Sequence, residues 1–156
     1  MKVFLDSNIF LNVLLAESDC HDCLRIINGW KKCNGIDEAV TSYLSLANIA
    51  YVLRKRIGKD KVAPTIRSLM EYITDVTNSQ GAEYHFACAL RGPDFEDILQ
   101  YTNARFNNCD IFLTCNKPDF QKIADPDEVL GSTGPTILNP AEFIEVFFHQ
   151  PSNESR

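Results

Sequence analysis

Three short segments place carboxylates or small polar side chains at the ends of apolar runs. In "VFLDSNIFLNVLL", residues 3–15, Asp6 follows directly on a β-branched and aromatic run. In "PDFED", residues 93–97, Asp97 sits in what reads as the first turn of a helix. In "DIFLTCNKPDF", residues 110–120, Thr114 ends an apolar run, and Asn116 and Asp119 follow at once. In open α/β sheets, ligands bind beyond the carboxyl ends of the strands. Two strand ends and one helix start can therefore deliver oxygen ligands to a single crevice. Hard divalent cations such as Mg2+ take such ligands, typically a few carboxylates plus waters. Two such ions about 4 Å apart can activate a water and clamp a phosphodiester for in-line attack.

Each acid also has a plainer reading. Asp94 is placed to cap the helix, and Glu96 and Asp97 are the first-turn acids that the helix dipole favours. Taken alone, Asp97 is first of all helix grammar. Asp6 is as good a cap for the helix after its strand as it is a ligand, although Ser7 or Asn8 can cap instead. Asp110 begins its strand, which puts it at the opposite edge of the sheet.

Other chemistries find less support. His21, His85 and His149 lie in no motif with Ser or Cys. There is no phosphate-binding GxxxxGK[ST] loop and no GxGxxG. A haloacid-dehalogenase-like phosphatase carries DxD after its first strand, whereas Asp6 is followed by Ser7 and Asn8. A receiver domain needs an early pair of acids, which is missing here despite Lys117. "CHDC", Cys20 to Cys23 around His21, suggests zinc, but no second pair completes four ligands. At helical spacing its two cysteines read as small residues on one buried face.

The elements that must position these groups follow from pattern. Residues 3–6 predict a buried strand, with a helix to residue 15. A helix over 20–30 would turn Leu24, Ile27 and Trp30 inward. Residues 39–42 predict a strand that caps a helix over 43–56. That helix, "YLSLANIAYVL", is apolar nearly all round and predicts a buried central position. It turns basic at Arg54, Lys55, Arg56 and Lys59, and Gly58 stops it. A helix over 62–78, with Pro64 in its first turn, is followed by an ambiguous strand over 82–86 and a helical turn over 87–90. The rest reads as a helix over 95–106, a strand over 110–114, a turn at "NKPDF", a strand over 136–138 and a helix over 140–148. Strands alternating with helices predict an α/β fold with a mostly parallel sheet. The expected organisation is one domain over 1–149 with a disordered tail over 150–156.

Composition sets the class. The chain has 156 residues, 45% of them hydrophobic and 23% charged, which suits a soluble globular domain. No run of about 18 apolar residues predicts a membrane span. The N-terminus shows no secretory signal, so the six cysteines are expected to be reduced thiols in the cytoplasm. A net charge of −6 argues against broad phosphate neutralisation, while an acidic metal site would itself lower the charge.

With these elements in order, the chain resembles the PIN-domain family, whose characterised members include metal-dependent ribonucleases and VapC-type toxins. "VFLDSNIFLNVLL" resembles the opening family motif and "TSYLSLANIAYVLRKR" the second. "DFEDILQYTNARFNNCDIFLTCNKPDF" resembles the third and fourth together. The resemblance implies a three-layer α/β/α fold, an acidic pocket for Mg2+ or Mn2+, and RNA as substrate. Asp6 matches the first metal-site acid and Asp97 the acid at the helix start. Thr114 matches the small hydroxyl residue after the strand, and Asn116 stands where many members carry Asp. Asn48 stands where the second motif usually has Glu, and Asp119 is placed to replace the missing carboxylate.

Two functions follow from the resemblance. One is an endoribonuclease that cleaves RNA phosphodiesters by metal-activated water, as the toxin of a toxin–antitoxin pair. Asp6, Asp97 and Asp119 would hold the metal, and the Arg54–Lys59 segment would contact phosphates. An antitoxin and a second copy of the chain are then expected partners. The alternative is a weak or inactive PIN-like module that binds RNA or protein, because Asn48 and Asn116 occupy positions usually acidic. Asn48 would then be either a structural amide tying its helix to a neighbour or a group that orients Asp6, Asp97 or a bound water.

Overall fold

The computed structural model describes residues 1–124 and 134–148. The expected domain limit at 149 and the tail over 150–156 lie outside the described residues. Five parallel strands form one sheet: β1 (Lys2–Leu5), β2 (Glu38–Ser42), β3 (Asp75–Thr77), β4 (Ile111–Leu113) and β5 (Thr136–Leu138). Their order is β3-β2-β1-β4-β5. The chain thus builds outward from β1 on one side and then returns to its other side. The switch point lies between β1 and β4, where Phe4 pairs with Phe112 and Leu5 with Leu113.

The three inner strands, β1, β2 and β4, are short and buried on both faces, so alternate residues belong to different cores. Val3 and Leu5 pack in one cluster with Ile9 and Phe10 of α1 (Ser7–Leu14). Cys23, Ile26 and Ile27 of α2 (Cys20–Gly29) and Ile49 and Leu53 of α3 (Tyr43–Ile57) join it. Leu69 of α4 (Val62–Leu69) and Phe143 of α8 (Pro140–Phe148) complete this layer. Phe4 and Phe112 point the other way and stack with ring centroids 5.0 Å apart. They meet Ala104 of α6 (Phe95–Phe106) and Phe120 of α7 (Lys117–Phe120). A smaller cluster joins Ala87 of α5 (Gly81–Ala89) to Ile98 of α6. Helices therefore cover both faces, the expected α/β/α arrangement, and every strand pair in the sheet is parallel.

Several expectations are corrected. The helix over 62–78 stops at Leu69, and residues 75–77 form β3. The β-branched stretch Ile73, Thr74, Val76 and Thr77 suits a pleated strand better than a helix. The strand over 82–86 is instead helix α5, started by Glu83, whose carboxylate accepts from the Gln80 N–H at 3.0 Å. The apolar α3 is not buried all round. Ser45, Ile49 and Leu53 face inward, while Tyr43 and Tyr51 are 67% and 61% exposed. Leu24 is turned outward, and Cys23 and Ile26 take its place with Ile27. Helices α6 and α8 and strand β5 match the expected limits. Among the described residues, no helix is long and apolar enough to cross a membrane.

Candidate metal centre

The carboxyl ends of β1 and β4 open side by side, and Asp6 follows β1 directly. Its backbone is extended, at φ −67° and ψ 155°, and its side chain caps α1. Asp6 Oδ1 accepts from Ser7 N at 2.6 Å and from Ser7 Oγ at 3.2 Å. Asp6 Oδ2 accepts from Asn8 Nδ2 at 2.5 Å and from Thr114 Oγ1 at 2.8 Å. Each of these four contacts is a donor, the arrangement an ionised carboxylate needs. Asp6 is also only 2% exposed. Burial pushes its carboxyl up to about 6, opposed by the bonds from Thr114 and Ser7, and the Glu96 charge adds to the rise.

Thr114 joins the two strand ends. Its Oγ1 donates to Asp6 and accepts from Asn8 Nδ2 and from Asn116 N, both at 3.0 Å. The Thr and Asn residues after the two strands thus fix the orientation of Asp6. Asn116 stands at the position before α7 without capping it through its side chain, and its amide donates to Asp119 Oδ2 at 2.9 Å. Asp119 also pairs with Lys122 at 2.6 Å, and that bond holds its carboxyl below the ordinary range. Asp119 therefore sits at the rim with its charge already matched.

Helix α6 brings two acids. Asp94 caps it and accepts from Glu96 N at 2.8 Å. Asp97 is half-buried, and no hydrogen bond from a described residue reaches its carboxylate. Burial, then the charges of Asp6, Asp94, Glu96 and Asp119, push its carboxyl up to about 6. Asp97 thus lies within electrostatic reach of both strand-end acids.

Glu96 was not among the expected site residues. Asn48 donates its amide to Glu96 Oε1, and Gln100 Nε2 donates to the same oxygen at 3.2 Å. Ser45 Oγ donates to Gln100 Oε1 at 2.5 Å, and Ser42 caps α3 through Ser45 N at 3.0 Å. A hydrogen-bonded chain runs Ser42–Ser45–Gln100–Glu96–Asn48 and ties α3 to α6. Asn48 therefore does join its helix to a neighbour, and the group that it orients is Glu96. The doublet Glu96–Asp97 carried the signal, but helix-start grammar explained both acids equally well.

Other groups lie elsewhere. Asp110 binds Lys2 N at 2.7 Å, at the amino end of β1. Helix α3 runs back from the carboxyl edge, so Arg54, Lys55 and Arg56 lie about 9–12 Å along its axis from Asn48, and Lys59 follows beyond its end at Gly58. Those four side chains are exposed. His21 of "CHDC" is 84% exposed, away from buried Cys23.

The donor chemistry suits a hard cation: the Glu96 charge acts on Asp6, and the charges of Asp6, Glu96 and Asp119 act on Asp97, so these acids influence one another at the carboxyl edge. Among the described residues, no three His, Cys, Asp or Glu side chains converge tightly enough to cage an ion by themselves. A Mg2+ or Mn2+ ion held by one or two carboxylates and several waters fits this arrangement.

Residues 2–118 match the family profile described as PIN domain. No curated protein matches the chain significantly. Among solved structures, VapBC2 from Rickettsia felis bound to a DNA fragment from its promoter is similar, with TM-score 0.61 and 14% identity, covering 89% of this chain and 98% of that one. DNA-bound VapBC from Salmonella typhimurium gives TM-score 0.59 and 14% identity over 90% and 98% of the two chains. The Mycobacterium tuberculosis toxin VapC20, described as cleaving the sarcin-ricin loop, gives TM-score 0.55 and 13% identity over 70% and 86%. These likenesses concern the fold, whereas the profile match spans three quarters of the sequence and contains Asp6, Asn48, Glu96, Asp97, Thr114 and Asn116. The chain belongs to the PIN-domain family.

Proposed function

We propose that this protein is a metal-dependent endoribonuclease acting as the toxin of a toxin–antitoxin pair. The observation that carries the reading is the unneutralised acid group Asp6, Glu96 and Asp97 at the switch point of a PIN-domain sheet. Burial is the main cause of the raised proton affinity of Asp6 and Asp97, and like charges add to it, from Glu96 on Asp6 and from Asp6, Asp94, Glu96 and Asp119 on Asp97. A divalent cation relieves that repulsion. When bound, Mg2+ or Mn2+ would supply positive charge to the scissile phosphate and make an attacking water more acidic.

The residues of this chain have separate tasks in that reading. Asp6 and Asp97 hold the cation. Thr114, Ser7 and Asn8 keep the Asp6 carboxylate in one orientation. Asn48 and Gln100 hold Glu96 beside Asp97, where it adds the charge that position 48 lacks. Asp119 works from the rim, released from Lys122 when a cation competes for it. RNA would approach from the carboxyl edge. An antitoxin partner is supported by the neighbours, which are toxin–antitoxin assemblies. A homodimer and a cytoplasmic location complete the proposal.

Asn48 and Asn116 support a second reading, a PIN module that binds without cleaving. Both amides are committed to acids of the site, and neither adds negative charge. Incubating the protein with structured ribosomal RNA and transfer RNA, in Mn2+ and in chelator, separates the two. Metal-dependent fragments absent with Asp97→Asn support the nuclease. RNA or partner binding without fragments, at saturating Mn2+, supports the module.

A further inference from the structure

Two thiols meet beside the pocket. Cys23 Sγ lies 3.6 Å from Cys115 Sγ, although the residues are 92 positions apart in sequence. Cys23 is fully buried on the inner side of α2, and Cys115 is half-buried directly after Thr114. The remaining cysteines are not placed to compete. Cys20 Sγ faces the Val13 carbonyl at 4.0 Å, Cys33 Sγ faces the Gly29 carbonyl at 3.8 Å, Cys109 is buried in the opposite core, and Cys88 is exposed.

We infer that Cys23 and Cys115 are a modification site, a thiol pair that peroxide closes into a disulfide tethering α2 to the loop after β4. A disulfide needs its sulfurs about 2.0 Å apart, so closure takes a side-chain rotation and a small backbone shift. Cys115 is the reachable member. Its sulfur attacks hydrogen peroxide; an S–O bond forms, the O–O bond breaks, and water leaves with the thiol proton. Cys23 sulfur then attacks Cys115 sulfur; the S–S bond forms, the S–O bond breaks, and a second water leaves with the Cys23 proton. Two thiols are oxidised by two electrons and one peroxide is reduced to two waters.

The pair is slow by construction. The hydrogen bond with Cys23, then burial, holds the Cys115 thiol above its ordinary range, so little thiolate is present at neutral pH. It would respond to sustained oxidant rather than to a brief pulse. The tether has a route to the pocket. Cys115 N donates to Asn8 Oδ1 at 2.9 Å, and Asn8 and Thr114 both donate to Asp6. Pulling Cys115 toward α2 therefore disturbs the donors that orient Asp6. An effect on metal affinity rests on the proposed function; the cross-link itself does not.

The test uses the full-length reduced protein, treated with millimolar hydrogen peroxide, alkylated and digested without reductant. Expected are a monomer lighter by about two hydrogen masses before alkylation, a Cys23–Cys115 linked peptide and slower hydrogen exchange over 114–119. Reductant reverses all three. In Cys23→Ser, Cys115 is expected to stay as a sulfenic acid that dimedone labels. Free Cys23 and Cys115 after Cys88 is fully oxidised overturn the proposal, as does Cys115 linked to Cys20 instead. The wild-type peptide map decides this even if a variant fails to fold. Mn2+ affinity, read in both forms, is expected to fall at least threefold on oxidation. If the reduced protein binds no Mn2+, the metal reading fails, while the peptide map still decides the cross-link.

Discussion

Replacing Asn48 by glutamate would remove the amide that donates to Glu96 and set a second carboxylate against it. A hydrogen bond to a charged group is worth about 1.5–3 kcal/mol. Two carboxylates about 4 Å apart repel by roughly 4 kcal/mol at an effective dielectric of about 20. Asn48 and Glu96 are only half-buried, so solvent and side-chain rotation relieve much of that repulsion. The metal-free Asn48→Glu protein is expected to lose about 3 kcal/mol of stability, or a Tm drop of about 6–12 °C for a domain of this size. A cation shared by the paired acids reverses the loss. At one hundred times its Kd, Mn2+ adds about 2.7 kcal/mol and brings the variant back near wild type. Urea unfolding followed by circular dichroism, with chelator and with Mn2+, measures both quantities. Asn48→Gln, which keeps a donor, serves as control and should lose much less. A metal-free Asn48→Glu protein as stable as wild type would refute the Asn48–Glu96 reasoning. A destabilised variant that Mn2+ does not rescue would refute the cation-gathering pocket.

Asp97→Asn should weaken Mn2+ binding at least tenfold and leave the fold intact, because no described hydrogen bond depends on that carboxylate; loss of the circular-dichroism spectrum would make Asp97 chiefly a helix-start residue. Metal-free stability should fall as pH rises from about 4 to above 6. Folded Asp6 holds its proton to about pH 6, while the unfolded carboxyl releases it near 3.8, so the folded state binds more protons across that window. For Asp6 the full difference is about 3 kcal/mol, and Asp97 acts in the same direction. The bonds that lower Asp119 and Glu142 give the opposite slope, from their lowered values up to their ordinary 3.8 and 4.5, so they overlap only the acid end of that window. Denaturant midpoints that stay level from pH 5 to 7.5, equally in wild type and Asp6→Asn, would contradict the Asp6 assignment. Gln100→Ala should cost about 1–3 kcal/mol by leaving Ser45 and Glu96 without their shared partner, and it should also lower Mn2+ affinity. Unchanged unfolding would show that the Ser42–Ser45–Gln100–Glu96 chain carries no load.

Much of the site's frame was legible in local pattern. Asp6 after one short apolar run and Thr114 after another placed both groups at strand ends, and the order β3-β2-β1-β4-β5 makes those ends neighbours. Helix α6 was legible from its cap, Asp94. The second strand pair was harder. Residues 75–77 form only three positions of edge strand, too short to show a period of two, and the helical pattern before them continues into them. Helix α5 is obscured because "AEYHF" mixes aromatic residues with helix formers, and its start is marked by the Glu83 bond back to Gln80 N. The outward turn of Tyr43 and Tyr51 was hidden because aromatic rings count as apolar, yet their hydroxyls suit water. Glu96 stayed hidden for a different reason. Nothing in its own neighbourhood separates a first-turn acid from a site acid; only Asn48 and Gln100, brought to it by tertiary packing, mark the difference.

The most direct test of the central claim, an acidic pocket that gathers a divalent cation, is calorimetric titration of Mn2+ into the metal-free protein with Asp6→Asn alongside. Saturable binding in the wild type that disappears in the variant is the expected result. No heat at millimolar Mn2+, or equal binding by both proteins, would contradict it.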